Sequence, residues 1–426
     1  MAPPYHPPVT VEPALTARDD RLRRRAVMVL FGGVALSAIG YIAAITVGTL
    51  AGAELGGGAS WAGLPTAGAI LGTAGGAALL GWIAGRHGRR PSLVIGYLTG
   101  ALGATLAVVA LLAGSLQLLI VAMLVVGLPN AAAQAARYVG GDMYQAGRRA
   151  RAIGVVVWGA TVGAVIGPSL IGPTGTLASG VGLPVLAGSF VAAAVTFAIA
   201  GVISLVLLRP DPAELVDRSV ALPRAADVGP SRSMRRSLLQ PNVSVAVVAL
   251  ISSQLVMVMV MTMTPLHLRD HGHDLAVVGV VMSAHTLGMF ALAPLSGRLT
   301  GRFGSLAVIM AGFVLLGVAS LFAALAPASG GLMLMAALFL LGFGWNLGFV
   351  ASSDLLSTGS PLIHRARLQG GVDAAVWGTS AISSVVAGPL LDLIGYAGLA
   401  IVAAALTSVP ALFVVARYRA VVPQAA

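Results

Sequence analysis

The sequence predicts an all-α integral membrane protein, with twelve transmembrane helices in two pseudo-symmetric six-helix bundles. Three observations carry that expectation. Of 426 residues, 58% are hydrophobic and only 9% charged, with a mean hydropathy of +0.94; a soluble domain carries about 25% charged residues. Apolar runs recur at close to the roughly 20 residues that cross a bilayer. The pattern of the first half then repeats in the second, 216 residues later: Gly81–Gly88 (GWIAGRHG) returns as Gly297–Gly304 (GRLTGRFG), and Asn130 as Asn346.

The first run, 26–50, follows Arg21, Arg23, Arg24 and Arg25. It is too long for the apolar core of a signal peptide. Runs 61–84 and 92–113 flank a tight arginine-bearing turn. Runs 117–139 and 151–172 flank Arg148, Arg149 and Arg151, and 184–208 stops at Arg209-Pro210. The second set is 241–264, 276–297, 306–326, 332–355, 367–390 and 399–417. Internal Pro and Gly are compatible with such helices, since membrane helices tolerate both. The expected organisation is a disordered tail at 1–25, bundles at 26–208 and 241–417, a Pro-rich linker at 209–240 and a short tail at 418–426.

Arginine placement sets the orientation. The chain has no Lys; alternating loops and their flanks hold 24 of its 25 arginines on one side, and Arg269 stands alone on the other. By the positive-inside rule both termini and the linker are cytoplasmic in a plasma membrane. The formal charge of +11 does not point to nucleic acid, because the arginines punctuate apolar runs instead of forming one basic face. Zero cysteines exclude disulfides and thiol chemistry. Neither a P-loop nor a nucleophile elbow occurs, so the chain is expected not to be an enzyme and to need no cofactor. His267, His271 and His273, with Asp270 and Asp274, crowd one short loop but show no closed ligand pattern, so no metal is assigned.

Two motifs and the repeat resemble the major facilitator superfamily over nearly the whole chain after the tail. Gly81, Arg86, Gly88, Arg89 and Arg90 match that family's motif A. Gly159, Gly163, Gly167 and Pro168, followed by Gly172, match its motif C, which the family associates with exporters and antiporters. Two departures stand beside them. Gly85 and Gly301 occupy the positions of the family's motif A acid, and Met123 replaces the helix 4 arginine of its drug exporters. The resemblance implies a gate at the cytoplasmic face built by Arg86, Arg89 and, in the second half, Arg302. Asp142 and Asp354, at the cytoplasmic helix ends, are the acids expected to replace the missing one. Glycines four apart share one helix face and permit tight packing, and Gly167-Pro168 bends the helix.

Polar residues inside spans are the remaining candidates. Asp373 lies about 9 Å from the cytoplasmic edge at 1.5 Å per residue. A carboxylate facing lipid near the bilayer centre costs about 2.5–3.5 kcal/mol on insertion scales, so it should face a cavity or a partner. Gln369, Asp373, Trp377, Ser380 and Ser384 form one helical stripe. Asp373 is the expected proton-coupling group, with His285 next because imidazole titrates near neutrality. Asn130, Gln134 and Arg137 form a second stripe, with Asn346 its mate; they either contact substrate or join helices by hydrogen bonds.

The leading expectation is a monomeric, proton-coupled exporter of a small amphiphilic molecule, with substrate, protons and lipid as its partners. An importer or facilitator of the same fold is the first alternative, and a non-transporting membrane sensor or scaffold the second.

Overall fold

A computed structural model describes residues 17–144, 146–215, 240–327, 331–358 and 362–421. Among the described residues there is helix and no strand. The helices are α1 (Ala17–Gly56), α2 (Gly63–His87), α3 (Arg89–Leu112), α4 (Leu116–Asp142), α5 (Ala146–Ser169, continued by Ile171–Gly180), α6 (Ala187–Leu207), α7 (Pro241–Asp270), α8 (Leu275–Phe290, continued by Ala293–Phe303), α9 (Ser305–Leu325) and α10 (Gly331–Thr358). A last run, Leu362–Leu406, is broken at Gly395, where φ is 70°. The apolar stretch Val372–Arg417 around it is 46 residues long. At 1.5 Å per residue that is about twice the thickness of a bilayer core, so it must cross twice. It therefore divides into α11 (362–394) and α12 (396–421), which completes the expected twelve.

Local chemistry sets the ends. Ser115 caps α4 by accepting from the amide of Leu118, and Asp274 caps α8 by accepting from Val277. Gly88 and Gly304, equivalent in the repeat, turn the chain with φ of 96° and 81°, a region that only Gly occupies without strain. Helix α1 starts at Ala17, so the arginines of 21–25 are helical and the disordered segment expected at 1–25 does not extend through them. Residues 1–16 and 216–239, most of the expected tail and linker, lie outside the described residues.

Two helices are interrupted where proline intervenes. Helix α5 breaks at Leu170, just after Gly167-Pro168, as the motif C-like sequence suggested. Helix α8 breaks at Ala291–Leu292, just before Pro294. There the Asn346 amide on α10 donates to the Met289 carbonyl at 2.6 Å, and Ser296 Oγ donates to the Asn346 side-chain oxygen. A side chain thus occupies a backbone acceptor at the break, which is how membrane helices tolerate proline.

Helix α1 packs on α5, α6 and α4, and α3 on α4 and α6; in the second half α10 packs on α9, α8 and α7, and α11 on α7. Contacts between halves run mainly through α2–α11 and α5–α8. The arginine-rich end holds both chain ends of the described bundle. At the far end the halves meet; toward the arginine-rich end they part.

Candidate transport pathway and its gates

The seam between the halves is built on small residues. On α5 and α8, the Thr286 hydroxyl donates to the Ala164 carbonyl, Ser283 donates to Val165 at 3.0 Å, and Ser169 and Ser283 hydroxyls lie 3.0 Å apart. A Cβ on Gly279 would collide with the Pro168 carbonyl. On α2 and α11, Ser384 Oγ donates to Gly63 O at 2.9 Å, and Trp377 and Ala381 pack on Ala67 and Ile70. Beyond these, Asp392 accepts from the amide of Ser60 at 2.8 Å and from its hydroxyl.

Below Trp377 the same faces are exposed. Ala74, Ala77 and Ala78 continue the α2 face, and Asp373 and Ala374 the α11 face, all accessible. On α5 the equivalent continuation reaches Trp158, which is 63% exposed and stacks on Phe31 at 6.1 Å. Among the described residues the result is a cleft between the halves that opens toward the arginine-rich end, with their contacts gathered toward the other.

Asp373 sits on this cleft. Among the described residues, Arg137 on α4 is the charged group that acts on it, yet the two form no ion pair within 4.0 Å. Arg137 instead donates to the Tyr138 hydroxyl at 3.0 Å and lies over that ring, leaving its Nε buried without a partner. The Asp373–Trp377–Ser384 stripe therefore faces α2 and the cleft, as its spacing suggested. Gln369 lies among residues whose side chains fall outside the description. Gln134 is half-buried on the Arg137 face of α4.

His285 is elsewhere. It is fully buried, with Nδ1 2.9 Å from the Leu338 carbonyl on α10 and Nε2 without a partner. It joins α8 to α10 and does not line the cleft. Asn130 donates to Thr73 Oγ1 at 3.3 Å, where Tyr41 also arrives at 3.4 Å. Asn130 and Asn346 thus make interhelical hydrogen bonds, one of the two roles open at the sequence level.

The motif A-like turn is organised around Arg89, not Arg86. Arg89 Nη2 donates to Asp142 Oδ2 at 3.0 Å. Arg86 lies over the Trp82 ring, 4.4 Å from its centroid, and Arg302 over Phe303 at 5.3 Å. In the second half Ser305 stands where Arg89 stands in the first, and its hydroxyl donates to Asp354 at 2.7 Å. Asp142 and Asp354 thus hold equivalent turns, one by an ion pair and one by a neutral donor. Gly81 has no neighbour within 4 Å of a would-be Cβ. Sequence reasoning missed Asp211, whose carboxylate accepts from the amides of Arg89 and Arg90 at 3.2 and 3.0 Å and so caps α3. It also missed the pairing of Ser60 with Asp392 and the Gly63 carbonyl that receives Ser384; partners this distant in the chain leave no spacing signal.

The motif C-like face is used as expected. A Cβ at Gly159, Gly163 or Gly167 would fall 2.6, 2.5 and 2.7 Å from the carbonyls of Phe31, Ala35 and Ile39 on α1. Four-residue spacing on α5 thus meets four-residue spacing on α1.

Comparison with known proteins agrees with this architecture. The family model described as Major Facilitator Superfamily matches residues 29–370 and 246–425. An uncharacterized MFS-type transporter of Bacillus subtilis, YdeG, is 34% identical over 375 residues, covering 88% of this chain and 86% of its own. The riboflavin transporter RfnT of Brucella anthropi is 28% identical over 386 residues, covering 89% and 92%. The inward-facing, unoccupied structure of a bacterial homologue of the human lysosomal transporter Spinster superposes with a TM-score of 0.74 at 16% identity, covering 95% of this chain and 98% of that one. A multi-pass helical chain split by a one-ended cleft and matched in this way along its length belongs to the Major Facilitator Superfamily of membrane transporters.

Proposed function

We propose that the protein is a secondary active exporter in the plasma membrane, with both termini cytoplasmic, that couples efflux of a small amphiphilic molecule to proton entry. One observation carries the reading: a carboxylate, Asp373, stands on the open cleft between the halves, within electrostatic reach of Arg137 across it. In this arrangement the cleft faces the cytoplasm. Rocking of the halves about a midplane site would close the Asp373 side and part the Ser60–Asp392 side. Asp373 would then exchange protons with one compartment before the switch and the other after it. His285, buried between α8 and α10, is the weaker coupling candidate because it touches no part of the cleft. The exporter direction rests on the motif C-like packing of α5 on α1.

Similarity to a riboflavin transporter favours a second reading, in which the same fold moves a planar metabolite without export. Purified protein in liposomes with an imposed pH gradient separates the two. Ethidium accumulated against its own gradient, and lost when the pH gradient is collapsed, is the expected result. Riboflavin that equilibrates regardless of the pH gradient would favour the second reading. If neither probe crosses faster than in empty liposomes, both readings fail.

A further inference from the structure

The far end of the cleft is closed by an asymmetric contact that no motif marks. The connector between α1 and α2 contains a short turn, Ala59–Trp61. Asp392, three residues before the Gly395 break that starts α12, lays its carboxylate on that turn and accepts from both the amide and the hydroxyl of Ser60. The other bonds that cross the seam come from neutral hydroxyls to backbone carbonyls or to each other. Asp392 instead brings an ionisable carboxylate to the seam. A charge-assisted bond to a backbone amide is roughly twice as strong as a neutral one, so this contact is stronger than the neutral ties beside it.

Its surroundings make it reversible. Asp392 is exposed and borders a cavity of about 1240 Å³ that also presents Glu54, Asp270, Asp274 and Arg269. Among these, Arg269 donates to the His273 carbonyl and Asp274 is engaged as the cap of α8, so neither competes for the Ser60 turn. Water reaches the carboxylate from the cavity, and opening the contact strands no buried charge. The small residues alongside, Gly388 against the Ala59 and Ser60 carbonyls and Gly63 against Ser384, let the helices close to backbone contact without a side chain to unlock.

We propose that Asp392 is an outer latch: its carboxylate on the Ser60 turn holds the far end shut and sets the population of the cleft-open state. The proposal rests on the alternating-access reading, but its test reads accessibility and not flux, so the two fail separately. The chain has no native cysteine, so one introduced thiol is unambiguous. Ser384→Cys places it on the seam, where Ser384 is fully buried against Gly63.

In right-side-out vesicles, a membrane-impermeant maleimide should label Ser384→Cys slowly. Adding Asp392→Ala should raise the rate at least five-fold, and Asp392→Asn, which keeps an acceptor but loses the charge, by less. Equal rates with and without Asp392→Ala overturn the proposal. A second variant guards against misfolding: Ser60→Cys with Asp392→Cys, otherwise free of cysteine, should form a disulfide under mild oxidation. Failure of that pair to cross-link, in protein that melts as the parent does, also overturns it.

Discussion

At the residue scale, the distinction between Arg86 and Arg89 is the sharpest consequence of the structure. Both sit on the motif A-like turn, and sequence gives no reason to prefer one. Geometry does: Arg89 reaches the buried Asp142, while Arg86 lies on an exposed indole. Arg89→Ala should destabilise the protein by about 1–2 kcal/mol, below the roughly 3–5 of a fully buried pair because the arginine is more than a third exposed. Arg86→Ala should leave the melting temperature close to the parent. Thermal melts of the two variants check this, and an equal loss in both would mean that the ion pair is not what organises the turn.

Asp373 poses a different question, because its proposed role is titration and not packing. Asp373→Asn keeps the shape and removes the proton site. Accumulation of ethidium driven by a pH gradient should fall to the passive level, while binding, read as ligand-induced stabilisation, persists. Retention of uphill transport with unchanged pH dependence would place coupling elsewhere. His285→Gln, altering a residue that only ties α8 to α10, should affect accumulation less.

At the scale of the element, α5 shows what was legible and what was not. Lipid imposes apolar runs of a fixed length, so the helices could be read directly from the chain. The Gly159, Gly163 and Gly167 face could be read too, because close approach of two membrane helices requires small residues at that spacing. What α5 closes against at its other end could not: Ala164 and Val165 receive Thr286 and Ser283 through their carbonyls, which every residue possesses. The same limit hid Ser60, Asp211 and the Gly63 partner of Ser384, and the burial of His285 depends on which face of α8 meets α10. The start of α1 was misjudged at 17–25 because arginine, though charged, is a good helix former.

The α5–α1 contact yields a paired prediction. Gly163→Val would drive a side chain into the Ala35 carbonyl and Ala38, both 2.5 Å from its Cβ position. Overpacking of this kind costs about 1–3 kcal/mol. Gly154→Val on the same helix meets nothing within 4 Å, so it should melt near the parent temperature. A clear drop for Gly163→Val only, measured on detergent-purified protein, is the expected result; equal drops would point to helix propensity instead of packing.

At the scale of the whole molecule, the halves touch through a seam of small residues at one end and separate at the other, with Asp392 on one side of the pivot and Asp373 on the other. Asp392 binds across the closed side, and Asp373 stands on the open one with no ion pair among the described residues. Alternating access requires these two ends to change in opposite senses. Spin-label distances test that directly, since every cysteine in the chain would be an introduced one. One pair replaces Trp61 and Leu393, exposed residues flanking the Ser60–Asp392 contact, and the other replaces Leu79 and Ala375 on the faces of α2 and α11 beside the cleft. On changing pH or adding a transported probe, the Trp61–Leu393 distance should lengthen as the Leu79–Ala375 distance shortens. Two distances that stay fixed, or that move in the same direction, would contradict the account.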